Sequence, residues 1–202
     1  MTIDAGGGLL EFGTVARRQP LRFDPIDEAS RNWRKAGWPD AAPGMALVTS
    51  IMRTHQILLG RVDATLGPMG LTFARFEVLM LLDFSRTGRL PLSKIGQRLQ
   101  VHPASVTNAI DRLELDGLVE RIQHPTDGRT TLAALTDEGR RRVRQAAEAL
   151  NTTVFTHVGL PGDQITSVVD SLTELRRNSD DFVESGGHEA RERRTQVVDE
   201  RG

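Results

Sequence analysis

Residues 91–135 read PLSKIGQRLQVHPASVTNAIDRLELDGLVERIQHPTDGRTTLAAL, and this stretch decides the fold. Ile95 and Leu99 lie four residues apart, which predicts a short helix from Ser93 to Leu99 with Ser93 as its N-cap. A second helix is expected to begin at Pro103, because a proline loses no hydrogen bond at a first helical position. Two short helices joined by a tight turn predict a helix-turn-helix.

The second helix has one apolar and one polar face. Four residues are expected to point into the core: Val106, Ile110, Leu113 and Leu115. Four others are expected to face outward: Ser105, Thr107, Asn108 and Arg112. Gly117 suits the left-handed position that ends a helix. A small, polar outer face of this kind fits a DNA major groove.

A β-hairpin is predicted directly after this helix. Residues 118–122 and 130–135 have strand character, and residues 125–129 between them are rich in turn formers. The tip carries Arg129, a long cation suited to a narrow, electronegative minor groove. Asp127 is expected to hold the Arg129 guanidinium by a charge-assisted pair. A helix-turn-helix followed by such a hairpin predicts a winged helix, and therefore a protein that binds double-stranded DNA.

The candidate DNA contacts fall into two groups. Asn pairs bidentately with adenine and Thr meets the thymine methyl, so the base-edge candidates are outer-face residues of the second helix: Ser105, Thr107 and Asn108. The phosphate candidates flank them: Ser93, His102 and Arg112.

Residues 92–140 resemble the MarR family of bacterial transcription regulators. The motifs that carry the resemblance are L-S-x-I-G-x-x-L, R-L-x-x-x-G-L-V, the wing-tip pair Asp127 and Arg129, and L-T-x-x-G-R from Leu135 to Arg140. The similarity continues less specifically over residues 24–184. It implies a homodimer that binds a pseudo-palindromic operator, with half-sites about 10 base pairs apart. It also implies release by a small anionic or aromatic ligand, and hence a repressor.

The expected architecture is mainly α with a small β-wing, in which N- and C-terminal helices form a dimerisation lobe. Five segments are predicted: a disordered 1–22, N-terminal helices in 23–70, the winged helix in 71–136, C-terminal helices in 137–184, and a disordered tail in 185–202. Helices are expected at 25–36, 43–66, 73–84, 136–157 and 161–183. Five apolar residues of the last helix are expected to be buried: Ile165, Val168, Val169, Leu172 and Leu175.

Charge is unevenly distributed along the chain. The 202 residues carry a formal net charge of -1. Residues 89–144 hold ten Lys and Arg against seven Asp and Glu, a net charge of +3, whereas residues 161–184 hold two against six, a net charge of -4. A basic middle beside an acidic end favours one DNA-facing lobe over a generally basic surface.

Several classes of protein are disfavoured. The chain has no cysteine, which excludes disulfides and thiolate metal sites and fits a cytoplasmic protein. No apolar run is long enough to span a membrane. The sequence lacks a Gly-rich phosphate loop, an H-E-x-x-H motif and a nucleophile elbow, so we expect no enzyme, no catalytic residues, no metal and no cofactor. One alternative stays open: a winged helix that binds only other proteins.

The effector site is predicted from the resemblance alone. The helix with Trp33 is similar to an extra N-terminal helix in a subgroup that includes urate-responsive regulators. By position Trp33, Glu77 and Arg121 match the ligand residues of that subgroup, while Trp33 also fits a core position. His55, a polar interruption in the long second helix, is a surface, structural or pocket residue. Glu77 replaces the usual Asp and Ala109 an expected Arg, which argues against urate itself.

Overall fold

A computed structural model describes residues 20–183. The disorder predicted for residues 1–22 falls outside the described residues except at 20–22, and the tail predicted for residues 185–202 falls wholly outside them. The described chain forms seven α-helices and three short strands, which confirms the predicted fold class. In chain order these are α1 Pro25–Lys35, α2 Ala42–Leu66, α3 Phe73–Asp83, β1 Arg89–Pro91, α4 Leu92–Leu99, α5 Pro103–Leu115, β2 Val119–Gln123, β3 Thr131–Leu135, α6 Asp137–Thr153 and α7 Gly162–Asn178.

The chain divides into two compact units, with the boundary between Arg61 and Val62. In the first unit α1 begins as predicted, since the Asp24 carboxylate accepts the Ile26 N–H at 2.8 Å. Five large apolar residues of α2 are exposed in the single chain: Leu47, Val48, Met52, Ile57 and Leu59.

The second unit is built on a core shared by α3–α6 and the sheet. The strands are antiparallel in the order β1-β3-β2, so β3 is central and β2 and β3 form the predicted wing. The third strand, β1, pairs with β3, and Leu90 lies opposite Ala133. The largest fully buried side chains of this unit come from the end of α2, from α3, α4, α5, β2 and α6, and from the residue before β2: Leu66, Leu79, Leu82, Ile95, Ile110, Leu113, Leu118, Val119, Val143 and Leu150.

Two local predictions in the helix-turn-helix are wrong. The first helix begins at Leu92 directly after β1, with Pro91 at the cap position, so Ser93 lies inside the first turn and does not cap it. Leu115 is 79% exposed rather than buried, because the helical register that turns Leu113 inward turns the last residue of α5 outward. Gly117 has a φ of +69° and ends the helix as expected.

The C-terminal helices are shorter than predicted, and the face of α7 is not buried. α6 stops at Thr153, after which Phe155–His157 forms a 3-10 turn. Four of the five apolar α7 residues expected in the core are 37–54% exposed: Val168, Val169, Leu172 and Leu175. Their spacing correctly indicated an apolar stripe, but residues 62–183 leave this stripe partly exposed.

The start of α6 packs tightly on the end of α5. Thr136 caps α6 by accepting the Gly139 N–H at 3.0 Å, and its hydroxyl donates to the Gly117 carbonyl at 2.8 Å. The Thr136 N–H also donates to the Leu118 carbonyl at 3.2 Å. This approach leaves no room beside Gly139, where a Cβ would lie 2.0 Å from the Leu118 oxygen.

Candidate nucleic-acid interface

The outer face of α5 is polar and open. Ser105, Thr107, Asn108 and Arg112 are exposed, while Val106, Ile110 and Leu113 anchor the opposite face in the core. Three of these outer residues line a groove of about 530 Å³ together with Thr72 and Arg75 at the start of α3: Ser105, Asn108 and Arg112. The base-edge and phosphate contacts assigned to these side chains stay predictions.

His102 has a local role that the sequence did not reveal. Its Nδ1 accepts the Ala104 N–H at 3.2 Å, so the imidazole caps the start of α5. The Thr107 hydroxyl donates to the Pro103 carbonyl at 3.1 Å, which leaves its methyl group and its hydroxyl oxygen available to a partner. Ser93 is exposed at the start of α4.

The wing tip is organised by Asp127 through the backbone. Its carboxylate accepts the backbone N–H of Arg129 at 3.1 Å and the hydroxyl of Thr130 at 2.7 Å. The Thr130 hydroxyl, followed by the Arg129 N–H, holds the pKa of Asp127 below its ordinary value. The predicted pairing of Asp127 with the guanidinium is therefore wrong, because the carboxylate is occupied in closing the turn. Arg129 is exposed, and within residues 20–183 its guanidinium makes no ion pair.

Two arginines hold α5 from outside the helix, which the sequence did not predict. Arg75 of α3 pairs with Asp116 at 3.2 Å. Arg121 of β2 pairs with Asp111 at 2.5 Å and with Glu114. Burial lowers the pKa of Arg121, but hydrogen bonds to both carboxylates outweigh it and the net pKa is raised.

The four ligand candidates lie in different settings, and their role stays a prediction. In the first unit, Trp33 is 38% exposed with its ring centroid 5.3 Å from that of Trp38, and His55 is exposed. In the second unit, Glu77 is half-buried on α3, and desolvation raises the pKa of its carboxyl. Arg121 is already bound to two carboxylates.

An ion-pair cluster around a buried carboxylate joins α3 to α6. The Asp83 carboxylate, with its side chain 8% exposed, accepts from Arg140 at 2.5 Å and from Arg144 at 3.3 Å. Arg140, the arginine of the L-T-x-x-G-R motif, thus binds the end of α3 and fixes α6 against α3.

Other kinds of site were sought over residues 20–183. No group of three or more His, Asp or Glu side chains in that range is placed to hold a metal ion. No single helix there has both the length and the apolar character needed to cross a membrane, and only the bent pair Ala42–Met69 and Phe73–Asp83 passes on length and composition together.

Comparison with known proteins supports the winged-helix assignment. The MarR family model matches residues 71–131. The crystal structure of Sco5413, a MarR family transcriptional regulator from Streptomyces coelicolor, is 49% identical, with a TM-score of 0.63 over 70% of this chain and 99% of that one. The structure of CouR from Rhodococcus jostii RHA1 bound to p-coumaroyl-CoA is 27% identical, with a TM-score of 0.58 over 68% of this chain and 95% of that one.

Curated relatives match over a shorter range. The HTH-type transcriptional repressor YetL of Bacillus subtilis is 37% identical over 76 residues, which is 38% of this chain and 46% of YetL. The chain thus spans about half the length of this relative.

Proposed function

This chain belongs to the MarR family, and we propose on that premise that it is a sequence-specific regulator of transcription that binds double-stranded DNA in the cytoplasm. It acts as a homodimer, without catalysing a reaction. The observation that carries this proposal is the combination of a polar, open α5 face with a wing tip built to present Arg129. Placed in a major groove, α5 offers hydroxyl, amide and guanidinium groups to base edges and phosphates, while the wing reaches the adjacent minor groove.

The exposed apolar stripes support the homodimer. Four residues of α7 leave an apolar face open: Val168, Val169, Leu172 and Leu175. A helix this amphipathic needs a partner that covers its apolar face. In a two-fold symmetric dimer, each copy covers the α7 face of the other. The two α5 helices then meet successive major grooves, so the operator is pseudo-palindromic with half-sites about 10 base pairs apart.

Repression relieved by a small molecule is the mode of regulation that we propose. YetL is described as a repressor, and CouR has been crystallised with p-coumaroyl-CoA, a large anionic and aromatic ligand. In this chain Trp33, His55, Glu77 and Arg121 are the candidate ligand residues. A specific ligand raises the melting temperature of the dimer by mass action, so thermal unfolding in the presence of anionic aromatic acids and their coenzyme A thioesters tests this part.

DNA binding is tested with a duplex that the protein itself selects. The wild-type dimer is used to enrich a random-sequence library about 30 base pairs long, enough for two half-sites. Affinity for the selected duplex is then measured over a salt series, since each neutralised phosphate adds about 0.9 to the slope of log K against log salt. Arg129→Ala is expected to lose about 1–3 kcal/mol of binding free energy per subunit, with an unchanged melting temperature.

Arg31→Ala is the matched control, because Arg31 pairs with Asp27 on the exposed surface of α1. It removes the same charge and is expected to bind the selected duplex normally. Unaltered affinity of Arg129→Ala would falsify the wing assignment. Failure of the wild-type protein to enrich any sequence, or to bind DNA with a salt dependence, would leave the protein-interaction module as the better description.

A further inference from the structure

Two carboxylates lie on the side of α5 that faces DNA in the proposed complex. With 3.6 residues per turn, Asp111 lies about one turn and Glu114 about two turns beyond Thr107, in the same row of the helix surface. Their side chains are 52% and 40% exposed. The row therefore begins with a candidate base-reading residue and continues with two acids.

Carboxylates in this position oppose DNA binding. The duplex carries one negative charge per 1.7 Å of axis, and phosphates flank the groove that α5 enters. Repulsion between like charges is felt within about 8–10 Å at ordinary salt. A recognition helix with two uncompensated acids in this row would bind both its operator and random DNA weakly.

Arg121 meets both carboxylates from the wing. Its Nη2 donates to Asp111 at 2.5 Å and its Nη1 donates to Glu114. The Arg121 backbone N–H donates to the second oxygen of Glu114 at 3.2 Å. The side chain is only 26% exposed and projects from β2, a strand paired along its length with β3. The position of the Arg121 guanidinium is therefore set by a hydrogen-bonded strand, unlike that of a long side chain on an exposed loop.

We propose that Arg121 supports DNA binding indirectly, by neutralising Asp111 and Glu114 on the outer face of α5. This rests on the proposed function. Because both ends of the guanidinium fork are occupied, Arg121 acts on DNA through the two carboxylates and not by its own contact.

Rescue of an Arg121 variant by removal of the acids tests this role. Affinity is measured for four proteins on the duplex selected by the wild-type dimer: wild type, Arg121→Ala, the double variant Asp111→Asn with Glu114→Gln, and the triple variant that combines all three changes. Arg31→Ala serves as the charge-matched control. Arg121→Ala is expected to lose about tenfold in affinity, from two uncovered acids in each subunit. The triple variant is expected to recover most of that loss, and the double variant to bind at least as tightly as wild type.

Each other outcome has a definite meaning. A direct DNA contact by Arg121 predicts that the triple variant stays as weak as Arg121→Ala, and this result overturns the proposal, as does normal binding by Arg121→Ala. If Arg121→Ala does not fold, the double variant decides, because weaker binding when the acids are removed contradicts their repulsive role. A wild-type protein that enriches no sequence refutes the proposed function itself, whereas failure of rescue on a duplex bound well by wild type refutes only the role of Arg121.

Discussion

Replacing Gly139 with alanine tests the packing that joins the winged helix to α6. An added Cβ would lie 2.0 Å from the Leu118 oxygen and 2.9 Å from a methyl carbon of Leu135. Ordinary carbon–oxygen contacts begin near about 3.3 Å, so the helix start and the Leu118 peptide must separate by about 1.3 Å. The Leu118 carbonyl belongs to a buried backbone segment and is not the end of a flexible side chain, so this separation has to move the helix.

The cost follows from the contacts that this movement breaks. The Thr136 N–H bond to the Leu118 carbonyl and the Thr136 hydroxyl bond to Gly117 each contribute about 0.5–1.5 kcal/mol. Overpacking of a close contact adds about 1–3 kcal/mol. The higher helix propensity of alanine offsets about 1 kcal/mol of this loss in the free energy of unfolding. The expected net loss in the free energy of unfolding is therefore about 1–5 kcal/mol.

Gly60→Ala provides the control with the opposite sign. Gly60 lies in the interior of α2, and a Cβ there would meet nothing within 4 Å. The same substitution should therefore stabilise the protein by about 0.5–1 kcal/mol through propensity alone. Both variants are compared with wild type by urea unfolding at one fixed protein concentration, because the stability of a dimer depends on concentration. A Gly139→Ala protein as stable as wild type would refute the close approach.

Three further predictions concern carboxylates. Asp83→Asn keeps the side-chain shape but leaves Arg140 and Arg144 without their shared counter-charge. Urea unfolding should show that the free energy of unfolding falls by about 1–3 kcal/mol. An unchanged free energy of unfolding would contradict a stabilising ion-pair cluster. Because burial raises the pKa of Glu77, its ionisation destabilises the fold as pH rises through the interval between the unfolded and folded pKa values. Glu77→Gln should then be more stable than wild type above that interval and equal to it below, and a pH-independent difference would refute the assignment. Asp127→Ala should weaken operator binding in a gel shift without lowering the melting temperature, since the carboxylate closes only the wing turn.

Most of the secondary structure was predictable because its causes are local. Asp24, Thr72 and Thr136 cap their helices with side-chain oxygens two or three residues from the N–H groups they accept, and this spacing is visible in the sequence. Pro103 and Gly117 mark the ends of α5 for reasons of backbone geometry alone. The Ser93 cap failed because a strand of three residues runs directly into α4, which moves the helix start back by one position.

The contacts that orient these elements were not predictable from the sequence. Some join residues far apart in the chain, some involve a side chain with two possible partners nearby, and some depend on a second chain. Asp83 binds arginines 57 and 61 residues away, and many other acids had equal claim to them. The wing tip shows the second case, since Asp127 had both a guanidinium and a backbone N–H within reach, and the turn geometry favoured the backbone. The open face of α7 shows a third, because periodicity predicts an apolar stripe but not whether the same chain covers it.

Local neutralisation also explains how a protein with a net charge of -1 can be suited to DNA. Arg112 is the one cation on the outer face of α5, and the Arg121 guanidinium is paired with Asp111 and Glu114. We therefore expect the α5 face to neutralise few phosphates, which predicts that its contribution to non-specific affinity is small and depends weakly on salt. In the proposed complex, affinity then depends more on the hydrogen bonds predicted at base edges and on the predicted minor-groove contact of Arg129, which vary with DNA sequence and shape. In the proposed complex this arrangement favours discrimination between sequences over high affinity, because Arg121 removes a repulsion without adding a phosphate contact of its own.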